Sequence, residues 1–259
     1  MSANPKDVDT KQNRYDMNRP NRYRLDTRFV LRDGQRHPFA VVCPGGAYGA
    51  VCSYVEGVPL ARRLNKLGIS VFIVYYRVRE KALYPAPQDD LARAVRTILE
   101  RSDQYMVERE HYSVWGASAG GHLVASFGTE HMGYKRYGLP KPGALVLTYP
   151  VITMDPALTH MDTHNNLLGR DPGQEREQFA SVHLHVTADY PPTYIWCGDA
   201  DDAVPPDNTR LMAAALEKAG VAYQCRIFPE LVHGVGLASG TCGANWLEEA
   251  AAFWQGLRK

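Results

Sequence analysis

Apolar residues in this 259-residue chain collect in short blocks, and stretches of helical periodicity separate the blocks. Pro38-Phe39-Ala40-Val41-Val42-Cys43 is apolar at every position and is halted by Pro44-Gly45-Gly46, which predicts a buried strand. Residues 69–76, 112–115, 144–148, 193–197 and 222–228 read the same way, the first of these being rich in β-branched and aromatic side chains. Between them, apolar positions recur at helical spacing over 58–67, 89–99, about 118–127, 209–218 and 246–257, and Gly68 and Gly220 close two of these helices. Strands apolar along their whole length, alternating with helices, predict an α/β fold with a mostly parallel central sheet covered by helices on both faces. In such sheets ligands bind beyond the carboxyl ends of the strands.

Two stretches break the alternation. Residues 1–22 are dominated by Asn, Asp and Arg and read as a polar N-terminal arm, either disordered or laid on a neighbour, ahead of one domain over 23–259. Residues 151–191 are long, polar and rich in His and Asn, and read as a small lid-like insertion over the site in place of a large cap.

Composition adds exclusions. With 45% hydrophobic and 22% charged residues the chain is an ordinary globular one. Its 29 basic and 28 acidic residues give a net charge of +1, and no basic run appears, so nucleic acid and anionic membrane are not expected partners. No apolar run approaches the roughly 18 residues that a membrane span needs. The start, Met1 to Lys6, is polar and carries no apolar core of a signal peptide, so a cytoplasmic protein is expected. Of the five cysteines, Cys43, Cys197 and Cys225 lie in or beside predicted strands and there is no CxxC, which suits small core thiols in a reducing compartment.

The chemistry begins at Gly116-Ala117-Ser118-Ala119-Gly120, a G-x-S-x-G run between a predicted strand and a predicted helix. A serine there sits on a sharp turn at a helix N-terminus, and side chains two positions to either side would collide with the adjoining strand and helix. Ser118 is the candidate nucleophile. Pro44-Gly45-Gly46-Ala47-Tyr48 follows the first buried strand, and its small residues allow backbone N–H groups to approach a ligand. Gly45, Gly46 and Ala47, with Ala119, are candidates for an oxyanion hole. A serine needs a base at neutral pH. His233, in the loop after the last predicted strand, is best placed of the nine histidines, whereas His122 shares a helix with Ser118 and reads as packing or a local hydrogen bond. The base needs an acid, and the loop after 193–197 offers Asp199, Asp201 and Asp202. Serine, aspartate and histidine then follow in the order expected of an α/β-hydrolase. His160-x-x-x-His164 and His183-x-His185 fit no zinc motif, and neither a metal nor any other cofactor is expected.

From about residue 36 onward the chain resembles α/β-hydrolase esterases of the acetyl-esterase and acetylxylan-esterase type, close to those called feruloyl-esterase-like. The resembling pieces are PGGAY at 44–48, YPAPQDD at 84–90, GASAGGH at 116–122, YPV at 149–151, NLLG at 166–169, GDADDAVP at 198–205 and VHG at 232–234. The family usually carries three glycines in the first motif, and here Ala47 takes the third place, which leaves open which of Gly45, Gly46 and Ala47 supply N–H groups. The family's acid lies three residues before the Val of Val204-Pro205, which maps to Asp201, with Asp202 second. The resemblance implies a serine carboxylic-ester hydrolase that deacetylates carbohydrates. Tyr48, His164 and Asn165 are the candidate substrate-binding residues. The expected partner is a small-molecule or oligosaccharide ester, and homo-oligomerisation is left open. The same residues would also serve an amide-cleaving hydrolase such as a small peptidase or formamidase, and a non-catalytic binding module is a second alternative.

Overall fold

In a computed structural model, residues 21–258 are described. Among them, seven strands form one sheet: β1 (Arg24–Phe29), β2 (Phe39–Cys43), β3 (Ser70–Tyr75), β4 (Ser113–Ala117), β5 (Ala144–Thr148), β6 (Thr193–Gly198) and β7 (Tyr223–Phe228). Their order across the sheet is β1-β3-β2-β4-β5-β6-β7. All pairings are parallel except β1 against β3. The inner strands β2, β4, β5 and β6 are buried at every residue, as their continuous apolar runs require. Successive residues feed opposite faces. Phe39 and Val41 enter one core with Phe72, Leu91, Leu123 and Met212, while Ala40 and Val42 enter the other with Leu64, Trp115, Trp196 and Trp254.

Helices cover both faces. In chain order they are α1 (Ser53–Glu56), α2 (Val58–Lys66), α3 (Ala86–Glu100), α4 (Ser102–Tyr105), α5 (Ser118–Phe127), α6 (Met161–Leu168), α7 (Gln174–Ala180), α8 (Asp207–Lys218) and α9 (Trp246–Gly256). Leu91 and Leu123 carry α3 and α5 on the first core, joined by Met212 of α8, and Leu64 and Trp254 carry α2 and α9 on the second. None of these helices is long and apolar enough to cross a membrane.

Beyond the expected elements the structure adds β1, the short helices α1 and α4, and α6 and α7 within residues 151–191, and it shifts the start of α3. β1 has no apolar run, because it is an edge strand: its Arg24 and Arg28 lie along the rim and pair with the buried Asp26. Helix α3 begins three residues before the expected position, at Ala86, with Pro87 in its first turn, where a missing N–H leaves nothing unsatisfied. The expected arm lies outside the described residues except for its last two positions. Asn21 there accepts a hydrogen bond from the Val78 N–H at 2.9 Å.

Residues 151–191 hold α6 and α7. Their apolar side chains pack into the main body: Leu167 and Leu168 are buried in the first core, and Phe179 lies against Tyr84 and His131.

Candidate active site

Five loops at the carboxyl ends of the parallel strands meet at one place. Ser118 opens α5 directly after β4, in the left-handed region at φ 54°. That conformation is strained for a residue with a side chain, and it lifts the hydroxyl out of the sheet. Close approach explains the flanking glycines. A Cβ on Gly116 would stand 2.2 Å from the Gly120 carbonyl oxygen, and one on Gly120 would stand 2.1 Å from that of Cys43. A Cβ on Gly45 would fall 2.8 Å from the Ser118 Cβ, which puts the loop after β2 against the serine.

His233, in the loop after β7, reaches Ser118 Oγ through Nε2 at 2.8 Å and Asp201 Oδ2 through Nδ1 at 2.7 Å. With a neutral imidazole, Nδ1–H donates to Asp201 and Nε2 accepts from the serine hydroxyl. Asp201 is fully buried, and its Oδ1 accepts from the N–H groups of Ala203 at 3.1 Å and Val204 at 2.8 Å. Asp199 instead accepts from the Glu230 N–H and is exposed, and Asp202 is exposed.

The loop after β2 is held in an unusual shape, with Gly46, Ala47 and Tyr48 all at positive φ. The Gly45 N–H donates to the Glu56 carboxylate at 2.7 Å, so it is already committed and corrects the inclusion of Gly45 among oxyanion donors. Among the described residues the N–H groups of Gly46 and Ala47 find no such acceptor. The Ala119 N–H lies in the first turn of α5, where no intrahelical partner exists.

Two of the three expected substrate contacts, Tyr48 and His164, are buried in the protein, while Asn165 is only partly buried. Tyr48 is fully buried, with its hydroxyl 2.9 Å from His122 Nδ1. The other ring nitrogen of His122 donates to the Ala180 carbonyl at 2.9 Å, and burial lowers its pKa to about 4. His164 is buried, its Nε2 on Glu177 at 3.0 Å and its Nδ1 on Asn165 Oδ1 at 3.2 Å. Polar side chains in an insertion can satisfy the insertion itself, and the sequence pattern does not separate that from facing a ligand.

Four residues that the sequence did not assign lie at or near the site. Asn166 donates to the Ala47 carbonyl at 2.8 Å, tying α6 to the loop after β2. His160 caps α6, and its partly buried ring feels the charges of Asp201 and His233. Burial lowers its pKa, with the neighbouring Asp162 opposing that and the charges of His233 and Asp201 as smaller influences. Tyr149, after β5, lays its ring edge-on to the His233 ring, with centroids 4.8 Å apart. Its hydroxyl donates to Glu56 at 2.8 Å. Burial raises the pKa of Glu56 above the usual carboxylate range, and its hydrogen bonds to Tyr149 and Gly45 offset only part of that rise. Tyr149 is visible in the sequence only as part of YPV, and Glu56 lies just ahead of the helix expected over 58–67, with no role assigned to it.

A mostly parallel sheet, a left-handed serine between strand and helix, and a histidine with its acid on later loops define an α/β-hydrolase. The family model of BD-FAE matches residues 25–216, and the chain belongs to that family. The acetyl ester-xyloside bifunctional hydrolase of Caldicellulosiruptor lactoaceticus is 31% identical and superposes with a TM-score of 0.84, over 98% of this chain and 93% of that one. Endo-1,4-beta-xylanase B of Butyrivibrio fibrisolvens is 29% identical over 84% of this chain. Acetylxylan esterase of Xylanibacter ruminicola is 30% identical over 76% of it. The matches span 35% and 40% of those two curated relatives, so this chain corresponds to less than half of each.

Proposed function

We propose that this protein is a serine carboxylic-ester hydrolase that removes short acyl groups, acetyl above all, from carbohydrate esters. The observation that carries the reading is the hydrogen-bonded chain from Ser118 Oγ through His233 to the enclosed Asp201. Ser118 attacks the ester carbonyl as His233 Nε2 takes its proton. Asp201 stabilises the imidazolium, and the N–H groups of Ala119, Gly46 and Ala47 receive the oxyanion. His233 then protonates the leaving alcohol, and water repeats the sequence on the acyl-enzyme. The carbohydrate side draws support from the relatives, named as an acetyl ester-xyloside hydrolase and an acetylxylan esterase.

The test is a C2 to C12 series of p-nitrophenyl esters together with acetylated xylo-oligosaccharides, assayed on the wild type and Ser118→Ala. The expected result is a kcat/KM peak at the shortest acyl groups, acetate release from the sugar, and a loss on the order of 10⁴ in kcat for the variant. A folded Ser118→Ala protein with near-normal turnover would overturn the nucleophile. A peak at long chains without acetate release would overturn the substrate class alone.

A further inference from the structure

Glu56 is an acid only 4% exposed, and each of its oxygens holds a different half of the site. Oε2 accepts the Gly45 N–H at 2.7 Å, at the root of the loop that brings Gly46 and Ala47 beside Ser118. Oε1 accepts the Tyr149 hydroxyl at 2.8 Å. That hydroxyl in turn accepts the Gly236 N–H at 3.0 Å, three residues beyond His233, and the Tyr149 ring stands edge-on to the imidazole. A path of three hydrogen bonds therefore runs from the loop after β2 to the loop after β7, with the carboxylate at its centre.

We propose that Glu56 is a positioning residue for the reaction: through Gly45 and Tyr149 it locks the oxyanion loop and the base loop into one unit and keeps a negative charge behind His233. This rests on the reading of Ser118 and His233 as nucleophile and base. The groups facing His233 are Ser118 after β4, Tyr149 after β5 and Asp201 after β6. Glu56 on α1 and His160 at the start of α6 act at longer range. Asp201 is the adjacent acid, and Glu56, whose two oxygens both accept hydrogen bonds as a carboxylate's do, is a further one whose charge interacts with that of His233. A second anion in a dry surrounding favours the imidazolium that forms when the serine proton is taken. Glutamine removes the charge and keeps one acceptor oxygen where two donors converge, so that if the oxygen stays on Gly45 N–H its amide NH₂ faces Tyr149 and reverses that hydrogen bond.

The experiment is steady-state hydrolysis of p-nitrophenyl acetate from about pH 5 to 9 by the wild type, Glu56→Gln and Tyr149→Phe, with circular dichroism to establish folding. Glu56→Gln is expected to lower kcat roughly tenfold, with KM within about twofold, and to move the acid limb of kcat/KM to lower pH. Tyr149→Phe is expected to lower kcat similarly while moving that limb less, since the charge remains. A folded Glu56→Gln protein with wild-type kcat overturns the proposal, and so does a loss of kcat with the acid limb unmoved. If Glu56→Gln does not fold, Tyr149→Phe decides, and wild-type kcat in that variant overturns the proposal. Failure of the underlying reading looks different: a wild type inert to esters, or an active Ser118→Ala.

Discussion

Three carboxylates stand within residues 199–202, and their surroundings separate them. Asp199 serves a turn, Asp202 faces solvent, and Asp201 has one oxygen on two backbone N–H groups and the other on His233. The residue types alone leave the three open, and only the family spacing points to Asp201. Asp201→Asn would keep its carbonyl on the backbone donors and turn its amide toward His233 Nδ1. That selects the tautomer with a proton on Nε2, which cannot accept from Ser118. The expected loss in kcat is roughly 10³–10⁴, against little change for Asp199→Asn and Asp202→Asn in the same ester assay. A severe Asp202→Asn would move the role by one residue. Ala47 shows a second effect at this scale. It takes the third-glycine place at φ 54°, a backbone conformation that costs an L-residue roughly 1–2 kcal/mol.

At the scale of elements, that strained loop is held by its neighbours. Glu56 fixes its start, the Arg79 N–H donates to the Tyr48 carbonyl at 2.7 Å, and Asn166 reaches across from α6 to the Ala47 carbonyl. The polar insertion thereby shapes the loop that carries two proposed oxyanion donors. Asn166→Ala removes one hydrogen bond, with an expected stability loss of about 1 kcal/mol by urea unfolding. It should lower kcat/KM more than that loss suggests, by a factor of roughly 10, as the Ala47 N–H drifts from its aim. Unchanged kinetics in a folded variant would mean that α6 has no part in setting the loop. The polarity of the insertion was legible in the sequence. Its contact with Ala47 was not, because the pair is separated by 119 positions and leaves no periodic signal.

For the whole molecule, His122 joins three regions: it sits on α5, takes the Tyr48 hydroxyl from the loop after β2, and donates to Ala180 at the end of α7. Burial holds its pKa near 4, against 6.5 for an ordinary histidine. Between those values the unfolded chain binds a proton that the folded protein refuses, so stability declines as pH falls from 6.5 toward 4 and is intact above 6.5. At about 1.4 kcal/mol per pH unit, this histidine removes about 3 kcal/mol across the window. His122→Gln is expected to be less stable at pH 7 but to show a shallower dependence of the urea midpoint on pH. An equal slope in wild type and variant would assign the acid sensitivity to other groups.

The chain by itself determined the alternation of strands and helices, the strand-to-helix turn at Ser118 and the loop that carries His233. These depend on neighbours in sequence: apolar runs that must be buried, turn residues that stop them, and glycines where Cβ atoms would collide. Tertiary structure decided the rest. It turned Tyr48 and His164 inward, committed the Gly45 N–H, and brought Glu56 to Tyr149 across 93 positions. The reason is physical. Whether a polar group meets water, a ligand or a buried partner depends on segments distant in the chain, which no local pattern specifies.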